Sequence, residues 1–146
     1  MRNDMNSAER YYRYTFFIIL AVTFAMAAVT ALPFLFIEED SLIGGITCAA
    51  VTAVIIPFLI YYLVQYLHYK NAELEDVGEA KLVRTHTNSF RMIGFIAELQ
   101  QDGQTREVTT KHVFNAAKYG PNLLDDYCGK TVLLGYERGR NEYIVL

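Results

Sequence analysis

The 146-residue chain contains no tryptophan, only two cysteines and only three prolines. Cys48 sits inside a long apolar run and Cys128 in the polar half, so the two offer no disulfide framework, and unpaired thiols suit a reducing compartment. An excess of basic charge is also missing. The net charge is −3, and from His68 onward 10 Lys and Arg interleave with 11 Asp and Glu, which argues against a nucleic-acid partner. Two long stretches carry no Asp, Glu, Lys, Arg or His at all, so the ionisable groups that mark an ion or proton path through lipid are absent from them.

Those stretches are what the rest of the chain is arranged around. Residues 42–67, LIGGITCAAVTAVIIPFLIYYLVQYL, match the roughly 20 apolar residues that a bilayer core of about 30 Å requires. Residues 15–37 hold 13 Leu, Ile, Val or Phe, enough to outweigh their threonines and Pro33. The run is too long for a signal-peptide core and continues through Phe34 to Ile37, past the small-residue triplet Val29-Thr30-Ala31. Two transmembrane helices are therefore expected, joined by an external loop at residues 38–41 so short that the helices form an antiparallel hairpin. Pro57 is expected to bend the second.

Arg2, Arg10 and Arg13 fall in the N-terminal segment, residues 1–14, and Lys70, Lys81 and Arg84 follow the second run, whereas Glu38, Glu39 and Asp40 occupy the loop. The positive-inside rule then places both termini in the cytoplasm of a two-span protein of the cell membrane. Tyr11, Tyr12 and Tyr14 before the first run and Tyr61, Tyr62, Tyr66 and Tyr69 at the end of the second would make one interfacial belt. Gly45, Ala49 and Ala53 recur every four residues, and Ala21, Ala25 and Ala28 match them, so these are the expected helix-packing stripes.

Beyond a linker at residues 68–79, ended as a helix by Gly78, the period changes to two and residues 80–146 read as a small cytoplasmic β-domain. Strands are expected at 81–87, 90–100, 104–110, 130–137 and 141–146, with a short helix between the third and fourth. In the second, Ile93, Phe95, Ala97 and Leu99 should face one way, and Phe90, Met92 and Ile96 the other. Asp102-Gly103 is a two-residue hairpin signal. The fold class is thus a transmembrane helical hairpin followed by a five-stranded, mostly antiparallel sheet or barrel, OB- or SH3-like, with one short helix.

Little points to catalysis. His68, His86 and His112 lie far apart in the sequence, and no His or Cys pair has metal-ligand spacing, so neither a metal nor another cofactor is expected. Cys128 with a histidine has no supporting motif, Asp125-Asp126 reads as the end of the short helix, and Gly44-Gly45 matches no phosphate-binding loop.

Ala80-Lys81-Leu82-Val83, Phe95-Ile96-Ala97-Glu98-Leu99, Asp102-Gly103 and Gly129-Lys130-Thr131-Val132-Leu133-Leu134-Gly135-Tyr136-Glu137 resemble the strand and turn motifs of a broad group of uncharacterised bacterial membrane proteins that pair two helices with a small β-domain. Glu137-Arg138 stands where that group tends to have Asp-Pro, and its first Gly is displaced to Gly78. The NfeD-like membrane proteins, with a terminal OB domain, share the architecture. Neither resemblance implies an enzymatic activity. The expected role is non-enzymatic: a membrane anchor for a β-domain that binds another protein or its own copies, with the sheet edge at 130–136 or 143–146 or the small-residue stripe in contact. An accessory subunit of a membrane transport or secretion complex is the alternative.

Overall fold

The computed structural model describes residues 5–36, 41–101, 103–115 and 126–146. The chain divides into two compact units, one of Tyr12–His68 and one that joins the N-terminal residues up to Tyr11 with Tyr69–Leu146.

The first unit is helical. α1 spans Ser7–Phe36 and α2 spans Ser41–Asn71, and both are long and apolar enough to cross a membrane. α1 begins well before the expected residue 15 because Asn6 caps it: its Oδ1 accepts the Glu9 N–H at 2.8 Å, satisfying a donor that the first turn otherwise leaves unpaired. Thr23 and Thr30 turn their hydroxyls back to the carbonyls of Ile19 and Met26, which hides polar atoms on an apolar helix. Large apolar side chains lie exposed along both helices, among them Phe17, Leu20, Phe24 and Val29 on α1 and Ile46, Val54, Phe58 and Val64 on α2, while one face of each, with Phe16, Ile19 and Met26 on α1 and Ile55, Leu59 and Leu63 on α2, is half-buried. Tyr12 and Tyr62 meet with ring centroids 6.1 Å apart, and Phe16 stacks on Tyr66 at 6.4 Å, so aromatic residues from the two runs gather at one end of this unit.

The second unit is built on an antiparallel sheet. Its strands are β1 (Leu74–Thr87), β2 (Met92–Gln101), β3 (Gln104–Thr109), β4 (Phe114–Asn115), β5 (Thr131–Glu137) and β6 (Glu142–Val145). Their spatial order is β3-β2-β1-β5-β6, with β4 pairing beside β3 on β2. β1 is the spine: its first half pairs with β5 and its second with β2. Two register shifts, at Asp76/Gly78 and at Leu82/Arg84, bend it, and Gly78 with φ +104° supplies the first. Among the described residues the sheet is not closed. Its two sides approach at one bridge, Thr110 to Tyr143, where the Lys111 N–H donates to the Tyr143 carbonyl at 2.8 Å.

Ile93, Phe95, Ala97 and Leu99 are all buried, joined by Ala80 and Leu82 of β1, Val108 of β3 and Leu134 of β5, so the expected alternation of β2 does define the core face. Phe114 packs edge-on against Phe95 at 5.3 Å.

Several expectations change. The presumed linker at 68–79 is helix to Asn71 and strand from Leu74, and Gly78 is a strand bulge rather than a helix stop. Phe90 is not in a strand. It stands 86 % exposed in a turn whose backbone is tied to Asn88, with Arg91 at φ 56°. Val113 and Phe114, expected in a helix, belong to an extended segment, with Phe114 in β4, while the remainder of that helix, residues 116–125, lies outside the described residues. The strand over 130–136 is no edge, since β5 is flanked by β1 and β6.

Candidate functional site

Two side-chain constellations stand out in the sheet unit, and both depend on the segment that leaves β3. Thr110 is buried and anchors it: its N–H donates to the Phe95 carbonyl at 2.8 Å, and its hydroxyl accepts the Phe95 N–H at 2.8 Å. Extended backbone sends successive side chains to opposite sides, so Lys111 and His112 go different ways.

Lys111 goes to Glu142. Its Nζ donates to both carboxylate oxygens, at 2.7 and 2.8 Å. The Tyr69 hydroxyl, from the last turn of α2, donates to Glu142 Oε2 at 2.7 Å and accepts from Arg140 Nη1 at 3.1 Å. Both cations also lie over the Tyr69 ring, Lys111 at 5.0 Å and Arg140 at 5.3 Å from its centre. The Tyr69 carbonyl accepts from Asn6 Nδ2 at 3.2 Å, so the cap of α1 and the end of α2 meet in the same unit. Burial alone would raise the Glu142 carboxyl, but hydrogen bonds from Lys111 and Tyr69 and the charges of Lys111 and Arg140 hold it below its ordinary value. A carboxylate this fully engaged is ionised and poorly placed to act as a base. The cluster therefore fastens the helix end to the last strand.

His112 goes to His86. The two imidazoles meet with Nδ1 of His86 and Nε2 of His112 2.7 Å apart and the ring planes at 62°, on the exposed side of the unit. The seat is made by Gly94, which pairs with His86 across β1 and β2: a Cβ there would lie 2.6 Å from the Thr110 carbonyl oxygen and 3.3 Å from His112 Cδ2. Burial, then the neighbouring charges of His86 and Lys111, hold the His112 pKa below its ordinary value. The expectation that the histidines stay apart is thus corrected for this pair, which topology brings together across 26 residues.

Among the described residues no group of three or more His, Cys, Asp or Glu gathers. Cys128 is half-buried at the turn before β5. Of the residues read as an interfacial belt, Tyr12 is buried in the helical unit, Tyr14 and Tyr61 are exposed, and Tyr62 and Tyr66 are half-buried. Tyr11 belongs to the sheet unit and points its hydroxyl at the Met92 sulfur, 3.9 Å away, and Tyr69 is buried in that unit. Of the small-residue stripes, Gly45 is buried, while Ala21, Ala25, Ala28, Ala49 and Ala53 are exposed.

A further cavity of about 360 Å³ opens over the core face, lined by Leu82, Phe95, Phe114, Val132 and Val145 with Arg10 at its polar side. Its size and apolar walls fall at the small end of ligand pockets. Comparison with protein-family models, with curated proteins and with solved structures finds no match to the chain.

Proposed function

We propose that the chain is an integral membrane protein in which α1 and α2 anchor the sheet unit at the cytoplasmic face of the cell membrane, and that the sheet unit binds another protein or a second copy of itself. One observation carries the anchoring: both helices expose large apolar side chains over more than half of their circumference, and the described residues of the two apolar runs carry no charged side chain to turn to water. Hydrocarbon is the solvent such a surface fits. The orientation rests on the arginines and lysines flanking the two spans.

The binding role rests on an unpaired sheet edge. Among the described residues β3 pairs with β2 alone, and five of its six residues are exposed, so its outer side offers backbone donors and acceptors to an added strand. The exposed alanines of α1 and α2 favour the second reading, an accessory subunit of a membrane transport or secretion complex, because small residues let helices of a larger partner approach closely.

The test is extraction and partner analysis of the full chain. It should stay with membranes through carbonate washing and need detergent for release; release by carbonate would overturn the anchor. Affinity purification through an N-terminal tag, with mass spectrometry and light scattering, separates the binding readings. A homo-oligomer supports self-association, a stoichiometric membrane complex supports the accessory subunit, and a clean monomer overturns both.

A further inference from the structure

We propose that His86 and His112 form a binding site for a divalent late transition-metal ion whose neighbouring ligands stand at right angles, copper or nickel. The two nitrogens already face each other at 2.7 Å on an exposed surface, with two ring planes steeply inclined. An imidazole pair at this separation shares one proton when neutral, and once the donor ring moves that proton to its outer nitrogen both inner nitrogens can offer a lone pair to one metal ion.

The spacing selects the metal. Two nitrogens bound at right angles to an ion at about 2.0 Å, as in square or octahedral coordination, lie about 2.8 Å apart, whereas tetrahedral coordination separates them by about 3.3 Å. The observed spacing is close to the first value, and imidazole suits copper and nickel as ligand. Water completes the remaining positions.

The proton inventory closes without a co-reactant. In the neutral pair one ring donates and the other accepts; on metal binding the shared proton moves to the outward nitrogen of the same ring, Nε2 of His86 or Nδ1 of His112, and both inner lone pairs go to the metal. The site joins a strand to a connection whose backbone is tied down. His86 is fixed in β1 opposite Gly94, and His112 follows Thr110, whose two bonds to Phe95 pin the backbone. Lys111, the nearest cation in sequence, is committed to Glu142.

The experiment is calorimetric titration of the untagged, detergent-purified full chain with copper(II) and with nickel(II), alongside the variants His68→Asn, His86→Asn and His112→Asn. One ion per chain is expected, retained in H68N and weakened by roughly tenfold or more in H86N and in H112N. Electron paramagnetic resonance of copper-loaded H68N protein serves if H86N or H112N fails to fold, and should show two imidazole nitrogens on the metal. Absence of binding, affinity undiminished in H86N and H112N, or fewer than two imidazole nitrogens in the spectrum would overturn the proposal.

Discussion

The hydroxyl of Tyr69, in the last turn of α2, donates to the carboxylate of Glu142, in the final strand, at 2.7 Å. Tyr69 is 1 % exposed and Lys111 holds the same carboxylate, so three distant parts of the chain meet at one acid. Tyr69→Phe should destabilise the sheet unit by about 1 to 2 kcal/mol, because Glu142 and Arg140 each lose a buried partner. Glu142→Ala should cost more, since it strands the largely buried Lys111 ammonium. Denaturant unfolding of the two single variants and the double variant, read as a cycle, gives the coupling; additive losses would show that the two residues do not act together.

Acid should weaken the same cluster. The folded Glu142 carboxyl is held below its ordinary value of 4.5, so the unfolded chain takes up the proton more readily. Its contribution is complete above that ordinary value and is lost as pH falls through the lower folded one. Stability measured from pH 6 down to pH 3 should therefore fall less steeply in Glu142→Gln than in the parent chain.

The cap of α1 offers a separate check. Asn6→Ala removes the acceptor for the Glu9 N–H and the donor to the Tyr69 carbonyl. A loss of about 1 to 2 kcal/mol is expected, and Asn6→Asp, which keeps only the acceptor, should recover part of it.

Glu137 marks the turn between β5 and β6. Its two carboxylate oxygens accept the N–H groups of Gly139 and Arg140 at 3.0 and 2.7 Å, which is how a glutamate closes this corner. Glu137→Ala should lower stability by about 1 to 3 kcal/mol by leaving those donors without their acceptor. Phe90→Ser, at a turn position 86 % exposed, should change stability by less than about 0.5 kcal/mol and is the natural control.

What local chemistry determines could be read in advance. Uncharged runs announced the two long helices, the alternation of Ile93, Phe95, Ala97 and Leu99 announced the core face, and Asp102-Gly103 announced a hairpin whose glycine has φ +76°. The first half of β1 was illegible because LEDVGEA is acidic, carries a glycine and is held by β5, more than fifty residues later in the chain. Tyr69 and Glu142 are 73 positions apart and His86 and His112 are 26 apart, distances at which no periodicity links one residue to another. Alternation also failed at Phe90, where Asn88 binds two backbone N–H groups and turns the chain before β2 can begin.

The strand order carries a consequence for synthesis. β1 can zip to β2 as soon as Met92–Gln101 has left the ribosome, but its other flank waits until Thr131–Glu137 has been made. Throughout that interval the segment beginning at Leu74 presents an open ladder and the half-built core. Glu75, Asp76 and Glu79 are exposed along this flank, and their like charges discourage a second nascent chain from taking the place reserved for β5.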